Sequence, residues 1–251
     1  MPPTTPDGFP IPLILRPGQK LRTIPFVLGE TRVRELLTPF GLDPTTTQAK
    51  QILAYLQLLL RWNQRINLTA IREPENCVTR HFGESLFLAR HAQLAGDLLD
   101  IGSGAGFPGL ALKIVFPEIS VTLLEPVAKK RAFLKEAARV CGFHQVEVRG
   151  ERLQEWASTN AERRFDSATM RAVGNLGVTV PLAARCLKTR GNLFLWLAHD
   201  QANVLAAIES GLCWDKPIAI PLSRSGEVWK GIKNFDSQKV PTAGSSDFHS
   251  P

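Results

Sequence analysis

The stretch LLDIGSGAGFPGLALKIVFP, residues 98–117, decides the fold. It begins with apolar residues interrupted only by Asp100, which is typical of a buried strand, and continues with glycines at alternate positions from Gly102 to Gly106. Apolar residues then recur at helical spacing, and Pro108 suits the first turn of a helix because the amide that proline lacks would be unpaired there. A strand, a glycine turn and a helix in this order indicate the entrance to a nucleotide-type cofactor site in an α/β sheet.

The cofactor is indicated by two carboxylates and by glycines that alternate with other residues in the turn: Gly102, Gly104 and Gly106. Phe107 stands where the dinucleotide fingerprint has its third glycine. Asp100 precedes the turn, where a carboxylate repels a pyrophosphate but attracts a ligand that carries an ammonium and a sulfonium. Glu125 ends the next apolar run, near the position expected for an acid that binds ribose. We therefore predict S-adenosylmethionine (SAM) as the cofactor; NAD, and a turn that only joins strand to helix, are the alternatives.

Composition and charge narrow the class of protein. The 251 residues are 44% hydrophobic, enough for one large domain or a domain with an appendage. A net charge of +7 favours anionic partners, nucleic acid first. The sequence has no apolar run of membrane-spanning length and its first ten residues do not resemble a signal peptide, so we expect a cytoplasmic protein with no membrane partner. The four cysteines lack metal-ligand spacing, so we expect buried thiols and no metal.

The chain divides into four predicted parts. Residues 1–29 are rich in proline and lack periodicity, so they predict an extended or disordered arm, and residues 236–251 predict a disordered tail. Residues 30–92 predict three helices that pack on one face of a sheet. These helices are expected at about residues 31–37, 46–66 and 74–90.

Residues 93–235 predict the core, because strands that alternate with helices form a mainly parallel sheet with helices on both faces. Five strands are predicted at residues 98–101, 121–125, 145–149, 165–170 and 192–197. Further helices are predicted at residues 108–116, 128–141, 176–188 and 200–210. Two apolar runs, 213–220 and 228–235, flank a short polar turn and predict an antiparallel hairpin at the sheet edge.

A series of motifs resembles one protein family. The motifs are, in chain order, YLQLLLRWNQRINLTAI (Tyr55–Ile71), RHFGESL (Arg80–Leu86), the glycine stretch, LLEPVAKKRAFLKE (Leu123–Glu136) and FDSATMRAV (Phe165–Val173). With these motifs the chain resembles the bacterial 16S rRNA guanine-N7 methyltransferases known as RsmG or GidB. The resemblance implies a class I methyltransferase fold with a small helical N-terminal region. It also implies SAM as methyl donor and N7 of one guanosine in the small-subunit rRNA as target; a monomer is expected.

The resemblance also implies a set of residues that line the SAM pocket: Gly102, Phe107, Leu153, Gln154 and Arg171. Guanine N7 carries a lone pair and no proton at neutral pH, so the transfer needs alignment of the reactants rather than a general base. We name Arg171 as the catalytic residue, because a guanidinium can donate to guanine O6. A bidentate grip on O6 and N7 would block the nucleophile, so Arg171 is expected to engage SAM or O6.

Basic side chains around the pocket mouth are expected to contact RNA phosphates: Arg61, Arg65, Arg72, Arg80, Lys129, Lys130 and Arg131. His81 is a further candidate for positioning RNA. The chain departs from the family where Ala198 and His199 replace a usual Lys-Gly pair, where Val228 replaces an arginine, and where Glu84 replaces an aspartate. Arg224 or Lys230 is a candidate substitute for that arginine.

These departures keep two other functions open. One is a SAM-dependent methyltransferase that acts on a small molecule or a protein. The other is a non-catalytic RNA-binding module of the same fold.

Overall fold

The computed structural model describes residues 28–160, 164–171, 174–202 and 204–234. The predicted arm, apart from its last two residues, and the predicted tail therefore lie outside the described residues. Within the described ranges, none of the helices combines the length and the apolar character needed to span a membrane. The fold is built around one sheet, and the candidate site residues lie at its carboxyl edge.

Eight strands form this sheet in the described part of the chain: β1 (Asp97–Ile101), β2 (Ser120–Leu124), β3 (Val146–Arg149), β4 (Phe165–Arg171), β5 (Leu187–Ala198), β6 (Leu212–Trp214), β7 (Ile218–Ala219) and β8 (Gly226–Lys233). Their order is β3-β2-β1-β4-β5-β8-β6, and β7 also pairs with β8. Strands β1 to β5 are parallel, whereas β8 runs antiparallel to β5, β6 and β7. The predicted parallel sheet with an antiparallel edge is confirmed, and the strand order reverses between β1 and β4, where open α/β sheets bind ligands.

Nine α-helical segments are described: α1 (Glu30–Leu37), α2 (Thr46–Ile66), α3 (Pro74–Cys77), α4 (Glu84–Leu86), α5 (Gly109–Val115), α6 (Ala128–Val140), α7 (Leu153–Thr159), α8 (Leu176–Arg185) and α9 (His199–Ala202). A π-helical turn, Val78–Gly83, joins α3 to α4. Helices α5 and α6 share one buried core with α1, α2 and the α3–α4 segment, while α7 and α8 belong to a second core. The two cores lie on opposite faces of the sheet.

The N-terminal helices cover part of the first face, as predicted. Helix α2 begins with a capping box, in which Thr45 and Gln48 each accept the other's backbone amide. Its apolar side belongs to the same buried core as Phe194 and Trp196 of β5. The side chain of Trp196 also donates from Nε1 to the carbonyl oxygen of Glu84, 2.8 Å away. These contacts bring α2 and the α3–α4 segment to the carboxyl edge of the sheet.

Three predictions in the C-terminal half were wrong. The helix predicted at residues 176–188 ends at Arg185, and β5 already begins at Leu187 rather than at residue 192. Residues 200–210 do not form one helix: α9 has four residues, and a separate 3-10 turn covers Leu205–Ala207. Little of the apolar surface in this segment packs against the core, since Leu205 is buried whereas Val204 is 48% exposed. The thiol of Cys213 is exposed, although all four cysteines were expected to be buried; those of Cys77, Cys141 and Cys186 are.

Candidate functional site

The glycine turn between β1 and α5 occupies the point where the strand order reverses. Gly102, Gly104 and Gly106 have φ values of +72°, +57° and +82°, a conformation that glycine adopts without the strain imposed by a Cβ. The amides of Gly102 and Ser103 both donate to the carbonyl oxygen of Leu124, at 2.9 and 3.0 Å. The turn is therefore bonded to the end of β2, and its backbone is held at the carboxyl edge of the sheet.

Gly106 lies directly against helix α2. A Cβ on Gly106 would stand 2.0 Å from the Tyr55 hydroxyl and 3.1 Å from methyl groups of Leu110 and Leu134. The Tyr55 hydroxyl is fully buried and donates to the carbonyl oxygen of Ala105 at 2.7 Å. No local sequence pattern singles out Tyr55, although it opens the YLQLLL motif. Its hydroxyl locks the turn onto the helical region.

Asp100 is the most unusual charged group of the site. Its side chain is completely buried, and Oδ1 accepts a hydrogen bond from the Thr169 hydroxyl at 2.7 Å. Oδ2 has no hydrogen-bond partner among the described residues. Burial raises the pKa of Asp100 to about 6, although the Thr169 and Ser103 hydroxyls and the backbone amide of Gly109 favour the ionised form. An orphaned buried carboxylate oxygen of this kind fits a cationic ligand.

Glu125 comes from the neighbouring strand and holds the turn from the other side. Its carboxylate accepts from the amide of Gly104 at 2.9 Å and from the amide of Val127 at 2.8 Å. Each carboxylate oxygen can accept a second hydrogen bond, so Glu125 can hold the turn and still accept hydrogen bonds from hydroxyl groups. Strands β1 and β2 are parallel neighbours, which is why two acids far apart in sequence meet at this edge.

Phe107 is placed by aromatic contacts. Its ring stacks on Tyr55, with centroids 5.3 Å apart, and on His81, with centroids 4.8 Å apart, and it meets Phe82 edge to face. Only 8% of the residue is exposed. The Phe107 ring thus fixes the glycine turn to the helical region.

His81 is held neutral beside this turn. Burial, with the nearby Arg171 and Arg80 cations, lowers the pKa of His81 to about 4. Its Nε2 shares a hydrogen bond of 2.8 Å with the Thr69 hydroxyl. Asn63, itself buried, accepts from the Thr69 amide and donates to the Thr69 carbonyl oxygen. Part of the WNQRINLTAI motif therefore supports the His81 ring.

Leu153 and Gln154 lie at the start of α7, just after β3. Leu153 is buried in the second core, whereas the Gln154 side chain is exposed. Both are at the carboxyl edge of the sheet because α7 follows the end of a parallel strand. The structure places them two strands away from Asp100, on the side of Glu125.

Arg171 ends β4 and reaches the helical region. Its Nη2 donates to Glu84 Oε2 at 2.6 Å and to the Arg80 carbonyl oxygen at 2.7 Å, and its Nη1 lies 3.4 Å from the Ser85 hydroxyl. Its side chain is 19% exposed. The predicted catalytic residue therefore stands at the expected edge, tied to Glu84, a partner that the sequence analysis did not identify.

The basic residues named for RNA contact fall into two groups: those on α2 and α6 other than Arg131, and those whose side chains bond to other groups of the protein. Helices α2 and α6 run antiparallel, since Gln51 donates to the Cys141 carbonyl oxygen and Trp62 donates to Glu136. The C-terminal half of α2, with Arg61 and Arg65, therefore runs from the level of Glu136 toward the start of α6, where Lys129 and Lys130 lie. Other named residues bind within the protein: Arg131 donates to the carbonyl oxygens of Glu125 and Pro126, Arg72 to Asn67, and Arg80 to Glu84.

The C-terminal departures line the far end of the same edge. Val228 is buried and pairs in register with Trp196, so an apolar core residue occupies that position. His199 shares a hydrogen bond of 2.9 Å with Glu227. Of the two proposed substitutes for the missing arginine, Lys230 is paired with Asp215 at 3.0 Å, and Arg224 lies exposed in the loop before β8.

The sequence of this chain matches one family over most of its length. Residues 48–213 match the family model described as GidB, rRNA small subunit methyltransferase G. A protein named ribosomal RNA small subunit methyltransferase G from Chloroflexus aggregans is 39% identical over 180 residues, 71% of this chain and 76% of that protein. The protein of the same name from Alkaliphilus metalliredigens is 37% identical over 193 residues, 73% of this chain and 81% of that protein.

Two solved structures are similar to this chain in fold, although their sequence identity to it is low. Ribosomal protein L11 methylase from Lactobacillus delbrueckii subsp. bulgaricus gives a TM-score of 0.52 at 15% identity, covering 62% of this chain and 79% of that one. Precorrin-6y C5,15-methyltransferase from Geobacter metallireducens gives a TM-score of 0.50 at 14% identity, covering 67% and 92%. These similarities concern the fold alone, which is the class I SAM-dependent methyltransferase fold.

Proposed function

Because the chain belongs to the GidB family of rRNA small subunit methyltransferase G proteins, we propose that it transfers the methyl group of SAM to N7 of a guanosine in 16S rRNA. The observation that carries this proposal is the Asp100 carboxylate, fully buried at the family's glycine turn with one oxygen unpartnered among the described residues. A buried carboxylate oxygen without a donor is costly unless a ligand completes it. A ligand with an ammonium and a sulfonium supplies that completion.

The residues of the site divide the binding of SAM between them. Asp100 would hold the cationic part of the ligand, and Glu125 would accept hydrogen bonds from ribose hydroxyls while it accepts from the Gly104 amide. The glycines of the turn, which lack Cβ atoms, let the ligand approach the backbone. Leu153 and Gln154 border the pocket beyond β2. When bound, SAM supplies an electrophilic methyl group on a sulfonium.

The remaining task is to hold guanine in line with the methyl group. N7 needs no base, and His81, with a pKa of about 4, is neutral and suited to packing rather than to proton transfer. The Nε hydrogen and one of the two Nη1 hydrogens of Arg171 have no acceptor among the described residues, and these can donate to SAM or to guanine O6. Arg171 thereby contributes by orientation, the effect that this transfer requires.

The pH dependence of SAM binding tests the role of Asp100. A protonated Asp100 is neutral and does not attract a cation, so SAM affinity is expected to rise as the pH rises from 5 to 7, through the pKa of about 6, and then to level off. Calorimetric titration at several pH values measures this. The variant D100N keeps an acceptor for Thr169 and is expected to bind SAM weakly, with a flat profile. An equally steep profile in D100N would contradict the assignment.

The RNA is proposed to bind across both parts of the protein, the helical region (residues 30–92) and the core (residues 93–235). Helices α2 and α6 pack antiparallel, with Trp62 donating to Glu136, so Arg61 and Arg65 lie on the half of α2 that runs toward the start of α6, which carries Lys129 and Lys130. Cations grouped in this way bind phosphates with a strong salt dependence and little sequence preference. The target guanosine must leave its stack to reach the methyl donor.

Methylation of small ribosomal subunits tests the proposed function. Subunits from a strain that lacks this gene are incubated with the protein and SAM, and their 16S rRNA is digested and searched for 7-methylguanosine by mass spectrometry. We expect one new 7-methylguanosine, made by a monomer acting in the cytoplasm. SAM binding without RNA methylation would favour a small-molecule or protein substrate, and RNA binding without SAM binding would favour a non-catalytic module.

A further inference from the structure

Glu84 connects the helical region to two strands of the core. Its side chain is 8% exposed, and its carboxylate accepts from Arg80 Nε at Oε1 and from Arg171 Nη2 at Oε2, each at 2.6 Å. Its carbonyl oxygen accepts from the indole of Trp196 on β5 at 2.8 Å. One residue of α4 thus holds the carboxyl end of β4 by its side chain and the adjacent strand by its backbone.

These contacts restrict the guanidinium of Arg171. Glu84 and the Arg80 carbonyl oxygen accept hydrogen bonds from Nη2, and the Ser85 hydroxyl lies 3.4 Å from Nη1. An arginine side chain has several rotatable bonds, so a catalytic arginine gains from a partner that fixes its rotamer before the substrate binds. The guanidinium is left with Nε and one Nη1 hydrogen available on a fixed plane.

The two cations bound to Glu84 differ in burial. Arg80 is 54% exposed, whereas Arg171 is 19% exposed. Loss of the carboxylate would therefore leave the Arg171 charge, rather than that of Arg80, without compensation in a buried setting. Water can replace Glu84 for Arg80 but has limited access to Arg171. The pairing with Arg171 is the one that a neutral side chain at position 84 cannot reproduce.

We propose that Glu84 is a positioning residue for methyl transfer, which fixes the orientation of Arg171 toward SAM and the target base. This inference rests on the proposed function, since it gives Arg171 its task. It assigns to the helical region a part in the reaction in addition to any contact with RNA. The carboxylate at position 84 acts only through Arg171.

A double-mutant cycle tests this inference. SAM affinity is measured by calorimetry and the single-turnover rate with small ribosomal subunits for the wild type, E84Q, R171A and the double variant, with thermal melting as a check of the fold. Whichever of the two quantities R171A lowers, SAM affinity or the single-turnover rate, E84Q is expected to lower the same one by more than about tenfold. In the R171A background, E84Q is expected to have no further effect. E84D, which keeps the charge, is expected to lie between E84Q and the wild type. The control E75Q removes an exposed acid of α3 and is expected to match the wild type.

The outcomes separate this inference from the proposed function. Wild-type values in E84Q, or losses in E84Q and R171A that multiply in the double variant, would overturn the positioning role while leaving the methyltransferase activity intact. A wild-type protein that neither binds SAM nor methylates the subunits would overturn the proposed function itself. If E84Q does not fold, E84D and E84D/R171A answer the same question, because the effect of E84D must vanish when Arg171 is absent.

Discussion

Replacing Gly106 with alanine is expected to lower the free energy of unfolding by about 2–5 kcal/mol and to abolish measurable SAM binding. The first part of the cost is the left-handed backbone, since φ is +82°. The second is steric: the new Cβ would stand 2.0 Å from the Tyr55 hydroxyl. Tyr55 would have to move, which would break its hydrogen bond to the Ala105 carbonyl oxygen and displace the turn. Denaturant unfolding and calorimetric titration with SAM measure the two effects.

Gly142 offers the matched control. Its φ is +67°, but a Cβ there would meet no atom within 4 Å. G142A is therefore expected to lose only the backbone part, about 1–2 kcal/mol, and to bind SAM normally. Equal losses of stability in G106A and G142A would show that the contact with Tyr55 does not constrain the turn.

Replacing Arg171 with alanine is expected to lower the single-turnover rate by more than roughly tenfold while the protein remains folded. The variant removes the donors proposed for SAM or guanine O6. Its stability should fall by about 1–3 kcal/mol, because Glu84 loses one of its two cations but keeps Arg80. The rate is measured well below the melting temperature, with 7-methylguanosine as the product detected.

An exposed arginine of the helical region serves as the control for this variant. Arg32 pairs with Glu35 and Glu75 at the surface, and R32A is expected to keep the wild-type rate. A near-normal rate in R171A at saturating SAM would show that Arg171 is a structural link between β4 and the helical region and takes no part in the reaction.

The parts of the fold that depend on local pattern were predictable. Glycines after a buried strand indicated the turn, and their positive φ values follow from it. Asp100 and Glu125 were found together because the carboxyl ends of adjacent parallel strands meet at one edge. Each strand of the parallel sheet was likewise indicated by its own apolar run.

The missed contacts join segments whose packing no local pattern specifies. Tyr55 and Ala105 are 50 residues apart, and Arg171 and Glu84 are 87 residues apart. Both contacts depend on how the helical region packs on the sheet, which is decided by the shape of a shared core. The helix expected at residues 200–210 does not form as one piece for a related reason. Its composition suits a helix, but little of its apolar surface packs against the core.

The central claim, that the glycine turn and its two acids bind SAM, is tested most directly by titrating the purified protein with SAM and, separately, with NADH. With SAM we expect heat on binding and a higher melting temperature. At a SAM concentration a hundredfold above Kd, the folded protein is stabilised by about 2.7 kcal/mol. With NADH we expect neither effect. Heat and a melting shift with NADH, and neither with SAM, would contradict the central claim.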